Sequence, residues 1–197
     1  MLDKAIFLDR DGVINHPVLN PKTNEYEAPH KEEDLKLFPG VVESLKELLN
    51  LKYKLFLVSN QPDYAKGKTS FQNLLQVHSK LHSILTVNNI LFTEYYYCYH
   101  HPKGIVPEYT MVCACRKPGN LSLKQACTKY NIDLSHSWMV GDSDVDIFCG
   151  QSVEIRTIMI SLKESAHRAG QSNPEFKVHS LEEAVEIIKK ESQYAKH

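Results

Sequence analysis

Ala5-Ile6-Phe7-Leu8-Asp9-Arg10-Asp11-Gly12 is the stretch that decides how this 197-residue chain folds. Four consecutive apolar residues read as a short strand buried on both faces, the kind found inside a parallel sheet. The run ends on two carboxylates two positions apart, which an extended backbone points the same way. Gly12 then lets the chain turn sharply. Two aspartates at this spacing are by themselves weak evidence and more often mark a turn with solvated aspartates, so their meaning depends on what surrounds them.

Working outward, short β-rich runs alternate with helix-period stretches. Strands are expected at Tyr53–Val58, Ile90–Tyr97, Trp138–Val140 and Thr157–Ile160. Helices are expected at Val41–Leu51, with Pro39-Gly40 before it, at Ser70–Thr86, at Leu121–Tyr130 and at Ser180–Lys190. Thr69 with Gln72, and Ser180 with Glu183, stand at capping-box spacing. Strands alternating with helices predict an α/β fold, a Rossmann-like parallel sheet with helices on both faces. Residues 15–37 lack clear periodicity and read as a surface excursion, and residues 166–173 as a second loop. No internal repeat or low-complexity tract interrupts the chain, and its length and 42% hydrophobic content suit one domain over residues 1–197. Ligands of such sheets bind beyond the carboxyl ends of the strands. Three polar motifs fall at those ends: Asp9-Arg10-Asp11, Ser59-Asn60-Gln61 and Gly141-Asp142.

Charge and composition narrow the function. Twenty-three basic residues against 24 acidic ones give a formal net charge of −1, with no basic face for nucleic acid. No apolar run approaches the length of a membrane span. Met1-Leu2-Asp3-Lys4 leads straight into the first strand without a signal-peptide layout, so a cytoplasmic location is expected. Crowded carboxylates are costly unless a cation lies between them or one is protonated. Magnesium suits them, because it takes hard oxygen ligands and keeps positions open for phosphate oxygens.

At this point four motifs in order resemble the haloacid dehalogenase superfamily of phosphohydrolases. Phe7-Leu8-Asp9-Arg10-Asp11-Gly12-Val13-Ile14 resembles its first motif and Val58-Ser59-Asn60-Gln61 its second. Arg116-Lys117-Pro118 supplies the lysine of the third, and Gly141-Asp142-Ser143-Asp144-Val145-Asp146 matches the fourth. The agreement runs over about Lys4–Ile160. The resemblance implies a magnesium-dependent phosphatase without a large cap domain, working through an aspartyl-phosphate. Asp9 would be the nucleophile, and Asp11 the general acid and then base. Magnesium would be held by Asp9, by Asp142 and, through its backbone carbonyl, by Asp11. Ser59 and Lys117 would grip the phosphoryl oxygens, with Asn60 beside them in the substrate-binding set, while Asp146 would orient Lys117 or a metal-bound water.

Cys98-Tyr99-His100-His101 and Cys113-Ala114-Cys115 bring three of the five cysteines together with histidine. Three thiolates and one imidazole suit a closed, tetrahedral, structural zinc site that would order the loop 98–115. His101 competes with His100 as a ligand on composition alone. Within the superfamily this loop resembles the heptose-bisphosphate and histidinol-phosphate phosphatases, whose pattern selects Cys98, His100, Cys113 and Cys115. The length of the loop resembles the heptose enzymes. That resemblance implies a small sugar (bis)phosphate substrate, most nearly D-glycero-D-manno-heptose 1,7-bisphosphate losing its 7-phosphate, in carbohydrate metabolism and lipopolysaccharide biosynthesis. A histidinol-phosphate or other small-metabolite phosphatase is the alternative. It also implies a monomer and makes Arg116 the fork for the second phosphate.

The chain departs from the family at Pro62-Asp63-Tyr64-Ala65-Lys66-Gly67, where a small residue, glycine, an aliphatic and a later arginine are usual. Lys66 keeps the charge without the bidentate geometry. Gly67-Lys68-Thr69 lacks the leading glycine of a phosphate-binding loop, since Pro62 stands in its place. His78 and His82 lie i,i+4 on a helix with no acid of the H-E-x-x-H type between them, and read as a partly exposed helix face. Cys127 and Cys149 read as small core residues on helices, Tyr95-Tyr96-Tyr97 as strand packing, and Asn15 and His16, which flank the first motif, as candidate neighbours of the substrate.

Overall fold

The computed structural model describes residues 2–194; Met1 and the last three residues lie outside the described part. The elements in chain order are β1 (Ala5–Leu8), β2 (Val18–Asn20), β3 (Glu25–Glu27), α1 (Val41–Asn50), β4 (Lys54–Asn60), α2 (Phe71–Val87), β5 (Glu94–Cys98), α3 (Leu121–Tyr130), β6 (Trp138–Gly141), α4 (Asp144–Gln151), β7 (Arg156–Ile160), β8 (Phe176–Val178) and α5 (Leu181–Tyr194). Six strands form one sheet in the order β5-β4-β1-β6-β7-β8, and every pair in it is parallel.

The apolar run Ala5–Leu8 is buried at all four positions because both faces of the sheet are covered. Ile6 and Leu8 point into a layer built with Leu45 and Leu48 of α1, Val77 and Leu81 of α2, and Ala184 and Ile188 of α5. Ala5 and Phe7 point the other way, against Leu123 and Ala126 of α3 and Cys149 of α4. Each Ile, Leu, Val or Phe side chain among these, fully withdrawn from water, contributes about 1.5–3 kcal/mol. The expected doubly covered parallel sheet is therefore present.

Several boundaries differ from the expectation, each for a local reason. β4 runs on through Ser59 and Asn60, because these polar residues still pair with Tyr97 and Cys98 of β5. β5 starts at Glu94 rather than Ile90: Asn89 takes a left-handed conformation, and Ile90 and Phe92 pack into the core as an irregular lead-in. The cap of α2 lies one residue later than expected, with Ser70 Oγ accepting from Asn73 N while Thr69 Oγ1 accepts from Asn73 Nδ2. At α5, Ser180 Oγ accepts from Glu183 N as expected.

Helix α4 contains Cys149, which the sequence places on a helix, but its bounds were not anticipated. Buried residues lie on several sides of it, so it shows no amphipathic stripe, although Ser143 and Asp146 form a capping box. The edge strand β8, three residues long, was not anticipated either. The excursion over residues 15–37 contains an antiparallel hairpin, β2–β3, with Val18 opposite Glu27.

Candidate active site

β1 lies between β4 and β6, where the chain switches from one half of the sheet to the other, and its carboxyl end opens into a cavity of about 540 Å³. Asp9, Asp11, Asn60, Arg116, Lys117 and Asp146 line that cavity, with Glu25 and Tyr26 of the hairpin, Lys66, and His167 and Arg168 from the loop after β7.

Carboxylate oxygens of Asp9, Asp142 and Asp146 lie within 4.8 Å of one another, and all three residues are buried. Two glycines permit this crowding. A Cβ on Gly12, which has φ +89°, would stand 2.2 Å from Asp142 Oδ2, and one on Gly141 would stand 2.2 Å from the Asp146 Cβ. Lys117, 2% exposed, reaches Asp9 Oδ1 at 2.9 Å and Asp146 Oδ1 at 2.6 Å, and donates to the Val58 carbonyl. Asp146 Oδ2 is taken up by the backbone N–H and hydroxyl of Ser143. Arg168 reaches Asp142 Oδ2 at 2.7 Å. Asp142 Oδ1 is buried and has no hydrogen-bond partner among the described residues.

Three buried carboxylates thus face two cations. Burial pushes Asp9 up to about 6, with Lys117 pulling against it. Burial pushes Asp142 up to about 8, with Arg168 opposing. The surplus negative charge and the orphaned Asp142 Oδ1 fit a small hard cation, and the all-oxygen donor set is that of magnesium.

The Asp11 carboxylate does not join this cluster, which corrects any reading of it as a side-chain metal ligand. Its Oδ1 accepts from Arg10 Nε and Nη2 and from Asn15 Nδ2, and its Oδ2 accepts from Gln61 Nε2. Only its backbone carbonyl is left for the metal. Asn15 accordingly contacts Asp11, while the His16 ring packs on Phe38. Ser59 is buried, and its hydroxyl accepts from Gln61 Nε2, which leaves its own proton to donate. Asn60 lines the cavity, yet its amide is committed to Lys117: it donates to the Lys117 carbonyl at 3.1 Å and accepts from the Lys117 N–H at 3.0 Å.

Cys98, His100, Cys113 and Cys115 converge as expected. The three Sγ atoms are 3.1–3.5 Å apart, and His100 Nδ1 lies 3.5 Å from Cys115 Sγ and 3.9 Å from Cys98 Sγ. A tetrahedral zinc with thiolates at about 2.3 Å requires edges of about 3.8 Å, so small outward shifts accommodate it, whereas no sulfur pair approaches disulfide length. His101 is not part of the cluster: its Nδ1 accepts from the Lys103 N–H. Cys115 runs directly into Arg116 and Lys117, so the cluster holds the backbone that presents both cations.

Sequence reasoning missed Arg168, because only the fold brings the 166–173 loop to Asp142. It also placed His78 on a partly exposed face. His78 is 4% exposed, stacked on Tyr97 at 3.8 Å, and burial pushes its pKa down to about 3.

A buried acidic cluster bridged by one lysine, at the strand ends of a doubly covered parallel sheet, defines a metal-assisted hydrolase of phosphate esters. The chain belongs to the haloacid dehalogenase-like hydrolases. Residues 6–93 match the model of that family, and residues 114–184 match a second, HAD-hydrolase-like model. It is 31% identical over 190 residues to the D-glycero-beta-D-manno-heptose-1,7-bisphosphate 7-phosphatase of Haemophilus influenzae, covering 96% of this chain and 98% of that one. The protein of the same name from Escherichia coli is 29% identical over 192 residues, or 97% and 96% of the two chains. A D-glycero-alpha-D-manno-heptose-1,7-bisphosphate 7-phosphatase from Photorhabdus laumondii is 34% identical over 152 residues, 77% of this chain and 79% of that one. The crystal structure of D,D-heptose 1,7-bisphosphate phosphatase from B. bronchiseptica, complexed with magnesium and phosphate, superposes with a TM-score of 0.77 at 22% identity, covering 95% and 99%. The chain is a phosphatase, and phosphatases of its family use magnesium.

Proposed function

We propose that this chain removes the 7-phosphate of D-glycero-D-manno-heptose 1,7-bisphosphate, as the names of its relatives state for them. The observation that carries a bisphosphate substrate is a pair of half-buried cations, Lys66 and Arg116, facing the cavity. Neither has an acidic partner within ion-pair distance among the described residues, since Asp63 is taken by His30 and Glu27 by Lys68. Burial lowers the pKa of both, which is the cost of holding them without a counter-ion. A second phosphate removes that cost.

On this reading Asp9 attacks phosphorus, the P–O bond to the sugar breaks, and an aspartyl-phosphate forms. Asp11 gives its proton to the leaving alkoxide, then takes one from the water that attacks the phosphorus of the intermediate and restores Asp9. Lys117 and the Ser59 hydroxyl meet the phosphoryl oxygens as charge moves onto them, and Asn60 holds Lys117 in place. Magnesium, held by Asp9, Asp142 and the Asp11 carbonyl, would neutralise phosphate charge and align the phosphoryl group. A zinc on Cys98, His100, Cys113 and Cys115 would be structural. The whole chain, 1–197, acts as one domain with the loop 98–115 as its insert. It works as a cytoplasmic monomer on a free metabolite, with neither nucleic acid nor membrane as partner. No described helix is long and apolar enough to cross a membrane, and the charge is balanced.

The test is phosphate release from a purified panel. Heptose 1,7-bisphosphate is expected to turn over far faster than heptose 7-phosphate or histidinol phosphate, and Arg116→Met is expected to erase the preference. Equal turnover of mono- and bisphosphate, or a preference for histidinol phosphate, overturns the substrate assignment. Full activity in Asp9→Asn overturns the covalent route.

A further inference from the structure

We propose that Arg168 is a positioning residue for the metal-facing carboxylate Asp142, and that Asp144 anchors the loop that carries it. The inference rests on the reading of the acidic cluster as a magnesium site and adds an outer layer to it.

Asp142 uses its two oxygens differently. Oδ2 accepts from Arg168 Nη2 at 2.7 Å, while Oδ1 is buried with no hydrogen-bond partner among the described residues, and one oxygen of this carboxylate lies within 4.8 Å of oxygens of Asp9 and Asp146. A carboxylate is planar, so fixing one oxygen fixes where the other points. Metal-ligating groups commonly depend on such a second partner, which sets their orientation.

Arg168 comes from the loop after β7, 26 positions along the chain, and its side chain is 42% exposed. A long exposed side chain held only by its own ion pair would lose much of that contact to rotamer freedom. Here the backbone beneath it is tied down. Asp144, on the first turn of α4, accepts from Gly170 N at 3.1 Å, Gln171 N at 2.9 Å, Ser172 N at 2.9 Å and Ser172 Oγ at 2.6 Å. Four donors converge on this one carboxylate, three of them from the loop backbone. One segment thus supplies both the ligand, Asp142, and, two residues on, the clamp for the loop that orients it.

A guanidinium beside a bound cation also repels it. The Asp142 carboxylate would offset that repulsion, and the half-exposed guanidinium is screened by water. Loss of Arg168, by contrast, removes the charged donor on Oδ2 and loosens the orientation of the carboxylate. Orientation outweighs repulsion, so removing Arg168 weakens magnesium binding.

The experiment is calorimetric titration of the intact protein with magnesium chloride, without substrate, on wild type, Arg168→Gln, Arg168→Lys and Asp144→Ala. Arg168→Gln is expected to bind magnesium about 10- to 100-fold more weakly, the range found for lost outer partners of metal ligands. Asp144→Ala should lose less, and Arg168→Lys should recover part of the loss. Unchanged or tighter binding in Arg168→Gln overturns the proposal. Wild-type affinity in Asp144→Ala overturns the anchoring role. A wild-type protein that neither binds magnesium nor releases phosphate would sink the phosphatase reading itself, an outcome distinct from these.

Discussion

Replacing Lys117 by methionine keeps the volume of the side chain but removes the one cation shared by Asp9 and Asp146. Both carboxylates are buried, and the lysine that joins them at 2.9 and 2.6 Å is 2% exposed. Breaking a buried pair from one side costs about 3–5 kcal/mol, because the partner is left charged in a poorly solvated place. Against a domain stability of about 5–15 kcal/mol, the variant folds but with a markedly lower urea midpoint. Losing a donor that meets developing phosphoryl charge should lower kcat by about 10²–10³. The pH dependence separates this account from a simple packing defect. Asp9 already stands at about 6, and in the variant the lowering effect of Lys117 is gone while burial remains. The folded state then binds a proton that the unfolded chain releases near the ordinary value of 3.8, so the variant gains stability as pH falls from 7.5 to 5. The assay is urea unfolding of both proteins at those two pH values, with no magnesium added. A stability difference below about 1 kcal/mol, or one that does not shrink at pH 5, refutes the reasoning.

Three further outcomes are expected. Gly12→Ala forces a Cβ to 2.2 Å from Asp142 Oδ2 at a positive φ, so magnesium affinity in calorimetry should fall with little change in far-UV spectrum; unaltered affinity would show that Asp142 can move freely. Stripping zinc with a strong chelator, or Cys115→Ser, should leave less than one zinc per chain by metal analysis and reduce kcat together with thermal stability, since the cluster adjoins Lys117; a zinc-free protein of full stability and activity contradicts this. His78 is held at about 3 against an ordinary 6.5, so its contribution is complete above pH 6.5 and is lost as pH falls toward 3, with a slope of up to about 1.4 kcal/mol per pH unit. His78→Gln should flatten that acid-side slope in unfolding titrations, and an unchanged slope would place the acid sensitivity elsewhere.

Much of the site was legible because its chemistry follows strand ends. Asp9 and Asp142 each close an apolar run, and parallel strands of similar length bring their ends together whatever the details of the connections. The Cys98–Cys115 cluster was equally legible, since three thiols and an imidazole gathered within one loop suit little besides a metal. The bounds of helix α4 were hidden because a helix buried on several sides carries no periodic signal, and β8 because three residues are too few for one.

Local residue pattern therefore determined the α/β class, the acidic strand ends and the zinc-type ligands, which depend on neighbours within a few positions or, for the ligands, within one loop. Only the tertiary structure decided which partner each polar group takes. It turned the Asp11 carboxylate toward Arg10, Asn15 and Gln61, committed Asn60 to Lys117, buried His78 against Tyr97 and set Arg168 on Asp142. Those choices join residues up to 57 positions apart along the chain. They are settled by packing geometry and by the low dielectric between the layers, neither of which a linear pattern encodes.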